Sequence, residues 1–461
     1  MESPLSNTFV IPVLNDFLVY SPLAGITALV NRRAVSELKE QLMQFNEERK
    51  NPDSPLFDLV QAIAGSTLHP PGKRTGKLNP EFLGIIPTRS CNGSCNYCDF
   101  EADMISDRNM SYELASNAVD WYTDLLASQN RKTLEIHFFG GEPMMARDVM
   151  EVTVQRARLV AAEKGMTPYF EISTNGQYGA AEAAWMGQYL NKIVLSFDGL
   201  REVQNRHRPL KANRSSFENS EATAKIISDS NAELCIRCCV SDLNIQLMED
   251  YTKWLCEKYR LSAINFEILT VSAPSIASGL RPPGPIDFAL HFESSRRIGA
   301  QYGIDVVYAS DIKGSPVASS CPVGKDTAIV SPDGRISNCY LNQAKWEKAG
   351  LDLDYGLFTR SGNISIDHSN LEAIRGIVEN KPRCKNCFCK WSCAGGCHVG
   401  ITYPGSAAGY DSFCMQTRLI SAFTLLSSLG LHENTDRLTQ SAEAIQLLTG
   451  QHSDTLKDFV V

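Results

Sequence analysis

The sequence predicts an α/β fold: an incomplete parallel barrel of six β/α units, preceded by a small β-then-α domain and followed by a cysteine-rich domain. Three observations carry that expectation. Apolar runs alternate with helical periodicity from Phe82 to about Ala300, the alternation stops near residue 310, and cysteines concentrate in two arrays. The first array lies between 91 and 98; the second is a seven-cysteine pattern running from 321 to 414.

Strand candidates start near Phe82, Leu134, Tyr169, Ile193, Leu234 and Ile264. Helical candidates alternate with them, among them Tyr112–Leu126, Val149–Ala162, Phe217–Ser228 and Leu247–Tyr259. Strands and helices in series imply a parallel sheet with right-handed crossovers. Six units rather than eight leave a TIM-type barrel open on one side, with ligands expected at the C-terminal ends of its strands. Ahead of the barrel, Thr8–Leu14, Phe17–Tyr20 and Ile26–Val30 are β-like runs separated by turn residues. Asn31 is placed to cap a helix with Val35, Leu38, Leu42 and Phe45 on one face, and a second helix surrounds Leu56–Ile63. The stretch His69–Gly76 reads as linker, and helices at Gln416–Leu429 and Glu443–Leu448 form a tail. The expected domains are residues 1–70, a linker at 71–81, a core at 82–305, a cysteine-rich domain at 306–420 and a helical tail at 421–461.

The chain has 461 residues, of which 43% are hydrophobic and 21% charged, the make-up of a globular protein with ample core material. Its net charge of −8, from 52 acidic and 44 basic residues, argues against a nucleic-acid partner, whose binding rests on basic surface. No run of eighteen apolar residues suggests a membrane span, and MESPLSNTFV lacks the features of a signal peptide. A cytoplasmic location is therefore expected. In that reducing compartment, closely spaced cysteines point to metal or redox chemistry rather than disulfides.

Cys91, Cys95 and Cys98 stand as Cys-x3-Cys-x2-Cys directly after the strand Phe82–Pro87. Three thiolates on one loop can hold three irons of a [4Fe–4S] cube and leave the fourth iron open to chelate the amino and carboxylate groups of a cofactor. The competing reading, a zinc knuckle, wants four ligands and Cys-x2-Cys pairs. With Tyr97 before the last cysteine, the triplet resembles the hallmark of the radical S-adenosylmethionine (SAM) superfamily. The resemblance continues in order through 82–270. It implies that Gly140-Gly141-Glu142-Pro143, after the second strand, receives the SAM amino group. There two glycines would let backbone approach the ligand, and a carboxylate would accept from an ammonium. It further implies SAM ribose and carboxylate contacts from Ser173 and Asn175 after the third strand, Ser196 and Asp198 after the fourth, and Arg237 in the fifth. The sixth-strand backbone at Glu267-Ile268-Leu269 would contact adenine. The chemistry implied is one-electron reductive cleavage of SAM to methionine and a 5′-deoxyadenosyl radical, which abstracts hydrogen from an unactivated C–H bond.

The later cysteines read Cys321-x12-Gly334-x4-Cys339, then Cys384-x2-Cys387-x5-Cys393-x3-Cys397, then Cys414. This array resembles SPASM domains, which hold auxiliary [4Fe–4S] clusters in enzymes that modify peptides and proteins. The resemblance implies that Cys321, Cys339 and Cys397 bind a first auxiliary cluster and Cys384, Cys387, Cys393 and Cys414 a second, making three clusters in all. Relatives with a fully ligated first cluster have a further cysteine about six residues before the first of the array. Here Asp311–Pro316 contains none, so that cluster is expected to keep an open iron or to take Asp311 or another oxygen ligand. Cys389 is a spare thiol within the array, His398 reads as structural, and Cys235, Cys238, Cys239 and Cys256 read as buried small hydrophobes.

Taken together, the resemblances imply a maturase of a ribosomally made precursor peptide that installs a crosslink or another C–H-derived modification. A flavodoxin- or ferredoxin-type donor would supply its electrons. Residues 1–70 resemble the small recognition domains that pair an edge strand with a leader peptide. One alternative is an anaerobic formylglycine-forming enzyme that matures sulfatases. There an aspartate base is expected after the cysteine equivalent to Cys339, whereas this chain has Tyr340. A non-catalytic cluster scaffold or electron carrier is the other alternative, and it leaves the SAM-type motifs unexplained. Tyr340 itself reads first as a packing residue, with proton donation or substrate positioning as its functional alternative.

Overall fold

The computed structural model describes residues 4–45, 52–98, 100, 109–312, 314–359, 362–379, 382–399, 410–450 and 453–460. The chain opens with an antiparallel sheet in the order β1 (Phe9–Val13), β2 (Asp16–Ser21) and β3 (Ile26–Asn31). Asn31 ends β3 and caps helix α1 (Arg32–Met43), its side-chain oxygen accepting from the Ala34 amide at 2.9 Å. Val35, Leu38 and Leu42 are buried, and with helix α2 (Phe57–Ala64) they cover one face of the sheet through Val10 and Val19. Phe45 lies just beyond α1 and packs against the same cluster. Phe9, Ile11, Val13, Leu18 and Tyr20 instead join the main core, so the small sheet is apolar on both sides.

The six strands expected of the core are all present: β4 (Leu83–Ile85), β5 (Thr133–Phe138), β6 (Thr167–Thr174), β7 (Lys192–Ser196), β8 (Glu233–Val240) and β9 (Ala263–Ile268). They run parallel in chain order. The parallel run is longer than the sequence suggests, because two three-residue strands extend it. β10 (Asp305–Val307) adds beside β9, and β11 (Ala328–Val330) adds beside β4. Three residues are too few to show the alternation that marks a strand in sequence. The sheet does not end there. β12 (Arg335–Ser337), β13 (Asp354–Phe358) and β14 (Ile364–Ile366) continue it antiparallel beyond β11, giving one eleven-stranded sheet. The turn from β11 to β12 uses Gly334 at φ +86°, where an added Cβ would also meet the Phe358 carbonyl oxygen at 2.8 Å.

The tail departs from an all-helical reading. Helices Ser412–Ser428, His432–Gln440 and Ala442–Thr449 are followed by an extended stretch that returns to the small sheet. Val10 donates to the Asp454 carbonyl at 2.7 Å, and Leu456 donates to that of Thr8 at 2.8 Å. β1 is thus paired along part of its outer edge, while β3 lies at the other edge of the sheet. Among the described residues, no helix is long and apolar enough to cross a membrane.

A buried ion pair fastens the linker to the cysteine-rich half. Arg375 and Asp326 are each 1% exposed, with Nε donating to Oδ1 at 2.6 Å. Arg375 also donates to the Gly76 carbonyl at 3.0 Å, and Asp326 accepts from the Asn79 amide at 3.1 Å. Removing one partner of such a pair leaves a buried charge uncompensated, so Arg375→Leu should lower unfolding free energy by about 3–5 kcal/mol. Urea titration followed by circular dichroism measures this; a loss below about 1 kcal/mol would show that the pair is not a structural tie.

Candidate functional site

The cysteine triplet follows β4 on a loop fastened by backbone from three directions. Gly141 and Glu142 donate to the carbonyls of Thr88 and Ser90 at 3.2 and 2.8 Å. Ser94 and Asn96 donate to those of Pro209 and His207, both at 2.8 Å. The Cys98 amide closes a turn onto the Cys95 carbonyl at 3.1 Å. The thiols converge around Gly93, where an added Cβ would lie 3.6 Å from Cys91 Sγ and 3.7 Å from Cys95 Sγ. Burial pushes the Cys91 thiol up to about 11 and Cys95 up to about 12, and in both the charge of Cys98 adds to the rise. Such thiols ionise readily only beside a cation, so this donor set fits an iron–sulfur cluster, whose irons supply that charge.

Gly140 and Gly141 pack against the cysteine loop. An added Cβ at Gly140, whose φ is +150°, would stand 2.5 Å from the Thr88 carbonyl oxygen. One at Gly141 would collide with the Ser90 carbonyl. The glycines therefore admit the cysteine loop itself against the end of β5. Glu142, 1% exposed, accepts from the amides of Asn175 at 2.7 Å and Met144 at 3.1 Å and from the Thr174 hydroxyl at 2.8 Å. Burial raises its carboxyl to about 7 in spite of these donors. Asn175 completes the bridge, its amide donating to Asn92 Oδ1 at 2.8 Å and pointing at Cys91 Sγ at 3.6 Å.

Asp198 is fully buried and already engaged. It accepts from the Tyr97 hydroxyl at 2.6 Å, Arg208 Nε at 3.0 Å and the Cys239 amide at 3.0 Å, with His207 Nδ1 at 3.3 Å. Burial alone would raise its carboxyl, but Arg208, His207 and the Cys239 amide hold it down to about 2. Arg208 then stacks over the Tyr97 ring at 5.2 Å and directs Nη1 toward Cys95 Sγ at 3.9 Å. Sequence reasoning missed Arg208 and His207. Their only signal is the run Arg206-His207-Arg208-Pro209 shortly after Asp198.

The remaining expected contacts sit at neighbouring strand ends. Ser173 lies near the end of β6, and Ser196 at the end of β7 pairs in register with Arg237 of β8. Arg237 is exposed there. Ile268 ends β9, and Leu269 is buried, its amide donating to the Val240 carbonyl at 2.8 Å. Pro143 is buried at the start of the short turn after Glu142. Cys235 and Cys238 are buried, while Cys239 and Cys256 are half-buried.

The second array divides into two groups. Cys384, Cys387, Cys393 and Cys414 line one small cavity together with Cys389. Arg418 Nη1 points at Cys387 Sγ at 3.4 Å and Arg383 Nη1 at Cys414 Sγ at 3.9 Å. A hydrogen bond from Cys389, then the charge of Arg418, lowers the Cys387 thiol against its burial. Elsewhere Cys339, pushed by burial up to about 12, feels Cys321 and Cys397, while the Trp346 indole N–H partly offsets the rise. Next to it the fully buried Asn338 side-chain amide has no partner at either end, and its N–H group is a donor of the kind that cluster sulfides accept from. Asp311 faces elsewhere: its carboxylate accepts from Thr424 at 2.8 and 3.0 Å and lies 3.6 Å from Arg296. His398 is buried beside the exposed Cys397. Among the described residues, no three histidine, cysteine, aspartate or glutamate side chains are gathered closely enough to chelate a single metal ion.

Tyr340 joins the two cysteine regions. Its ring lies 4.5 Å from that of Phe139, in an apolar cluster with Ile86, Phe100 and Ile329 against which Cys98 also packs. Its hydroxyl reaches Gly84 of β4, where an added Cβ would lie 2.9 Å from it.

Gly141→Ala should displace the cysteine loop and leave the protein short of about four irons, readable by iron analysis after anaerobic reconstitution; full iron content would refute the packing argument. For Asp198 the depressed carboxyl implies stability present above about pH 4 and lost as pH falls toward 2, amounting to about 2 kcal/mol. Urea unfolding of the apoprotein should show that slope in wild type and not in Asp198→Asn; equal slopes would refute the assignment.

A match to the radical SAM superfamily covers residues 85–254. The chain is 23% identical over 344 residues to the PqqA peptide cyclase of Methylorubrum populi, an alignment spanning 73% of this chain and 85% of that protein. It is 28% identical over 196 residues to the AdoMet-dependent heme synthase of Nitratidesulfovibrio vulgaris, spanning 42% and 48%. Native anSMEcpe with bound AdoMet superposes with a TM-score of 0.58 at 16% identity, over 77% of this chain and 99% of that one. SuiB of Streptococcus suis, bound to S-adenosylmethionine, gives 0.51 at 12%, over 85% and 95%. These structures share the fold. With the cysteine triplet directly after β4, the stretch from β4 through β8 is the part of the chain that matches the radical SAM superfamily.

Proposed function

We propose that this protein is a radical SAM maturase that installs a crosslink or another C–H-derived bond in a ribosomally synthesised precursor peptide. The observation that carries the reading is the shared apolar cluster in which Cys98 of the first loop and Tyr340, next to Cys339 of the second array, pack together. A substrate docked at the barrel mouth would lie between the two cysteine regions. Bound SAM and its cluster supply the hydrogen-abstracting radical. The chain's part is positional. Cys91, Cys95 and Cys98 hold the first cluster, Glu142 offers a carboxylate to the SAM ammonium, and Arg237 stands exposed at the strand ends to pair with its carboxylate. Cys321, Cys339 and Cys397, and separately Cys384, Cys387, Cys393 and Cys414, would hold auxiliary clusters, groups that would supply one-electron redox capacity beside the substrate. A flavodoxin- or ferredoxin-type protein supplies the reducing electron. The peptide cyclase relative supports a peptide substrate.

The small N-terminal sheet supports leader-peptide recognition. β1 is partly paired by Asp454–Leu456, whereas β3 lies at the other edge with intermediate exposure from Ile26 to Val30. An extended peptide would add to that edge. Residues 1–70 would then be the recognition domain, 71–81 the linker, 82–305 the radical core, and 306–420 the auxiliary-cluster domain carrying the tail 421–461. Formylglycine formation gains nothing from Tyr340, whose ring is packed among aromatic and aliphatic side chains where that chemistry would want a base.

If the reading frame beside this gene encodes a short peptide, co-expression with it should yield a product two hydrogens lighter, seen by mass spectrometry. Cys91→Ala should abolish both the product and 5′-deoxyadenosine formation while keeping auxiliary iron. An unmodified peptide beside a modified co-expressed sulfatase would overturn the reading.

A further inference from the structure

A cleft of about 510 Å³ opens beside Cys339, between the first cysteine loop and the β11–β12 hairpin. That volume lies within the range of roughly 300–1,000 Å³ typical of ligand sites. Its apolar wall includes Ile86, Leu341 and Trp346. Three buried polar atoms of its lining residues have no hydrogen-bond partner; one, Trp346 Nε1, lies toward Cys339, and Arg89 and Asp354 supply the other two. Arg89 is 9% exposed, and its Nη1 is buried without a hydrogen-bond partner. Asp354 pairs through Oδ2 with Arg335 at 2.9 Å, but its Oδ1 is buried and unpartnered. Neither atom serves the cysteine loops or the Asp198 network. A buried donor or acceptor without a partner is costly, and a bound group that pairs with it recovers that cost.

The pattern of charge narrows what that group is. The lining carries two arginines against three carboxylates, Asp333, Glu347 and Asp354, so it does not select a free anion. A lone cation would leave Arg89 unsatisfied. A neutral group with one acceptor and one donor answers both atoms, and among peptide groups that is an amide. We infer that this cleft docks the substrate peptide through an amide, either a main-chain unit or an Asn or Gln side chain, whose carbonyl accepts from Arg89 and whose N–H donates to Asp354. The inference rests on the maturase reading and adds where the peptide lies: along the auxiliary array, with Cys339 in the wall of its cleft. Arg89, two residues before Cys91, also ties the docked peptide to the first cysteine loop.

The probe is the precursor peptide identified by the co-expression experiment above, carrying a fluorophore and added to the reconstituted holoenzyme. Asp354→Ala and Arg89→Lys should each weaken binding by roughly tenfold or more and raise KM with a smaller change in kcat. In wild type the peptide should slow amide hydrogen exchange in residues 331–337 and 339–347, a measurement independent of either variant's folding. Unchanged exchange there, or wild-type affinity in both variants while wild type still modifies the peptide, overturns the cleft assignment alone. A peptide neither bound nor modified by wild type overturns the maturase reading, and the cleft assignment with it.

Discussion

The site is organised around one buried carboxylate. Asp198 sits at the end of a central strand and draws four groups from separate stretches of chain: Tyr97 of the cysteine loop, His207 and Arg208 of the following segment, and the Cys239 amide of the next strand. A charge so fully desolvated is tolerable only when matched, and here an arginine matches it while a hydroxyl and an amide fill the remaining lone pairs. The residues just before Arg208 and just after it also receive the amides of Asn96 and Ser94, so the loop is pinned by side chain and main chain to one platform. Arg208 carries the surplus positive character on toward Cys95, where a cluster with several thiolates accumulates negative charge.

Glu142 is the counterpart on the other side of the loop, with the opposite electrostatic character. It has only neutral donors, and burial lifts its carboxyl to about 7 where Asp198 is held near 2. One acid is a permanent anion fixed by its surroundings. The other sits near neutrality and gains from an incoming cation, the property wanted of a group that receives an ammonium.

Much of this was legible in the sequence. The six central strands showed as apolar runs of sufficient length, and Asn31 marked a helix start through its capping chemistry. β10, β11, β12 and β14 did not show, because three residues display no period; β4 is as short, but the apolar Phe82 and Ile86 on either side of it lengthen its run. The β11–β12 hairpin had a signal that went unused: Asp333-Gly334 between two short apolar runs is hairpin chemistry, whereas the glycine was read only as part of the cysteine spacing. At the site, cysteine spacing located the loops, but spacing does not say what a glycine faces or whether a carboxylate is already engaged. The packing of Gly140 and Gly141 against the cysteine loop and the hydrogen bonds of Asp198 therefore became visible only with their neighbours in place, and Arg208 emerged only from its distance to Cys95.

The return of the tail to the first strand has a consequence for how the protein is made. Asp454 accepts from the Phe388 amide and pairs with the buried Arg418, whose guanidinium points at Cys387, while its own carbonyl binds Val10. During synthesis β1 emerges hundreds of residues before its partner, and until Asp454 arrives Arg418 lacks its counter-charge beside the second cysteine group. Completion of the N-terminal sheet and closure around those thiols are thus a single late event. A nascent or prematurely terminated chain would keep the pocket around those thiols loose and unsealed.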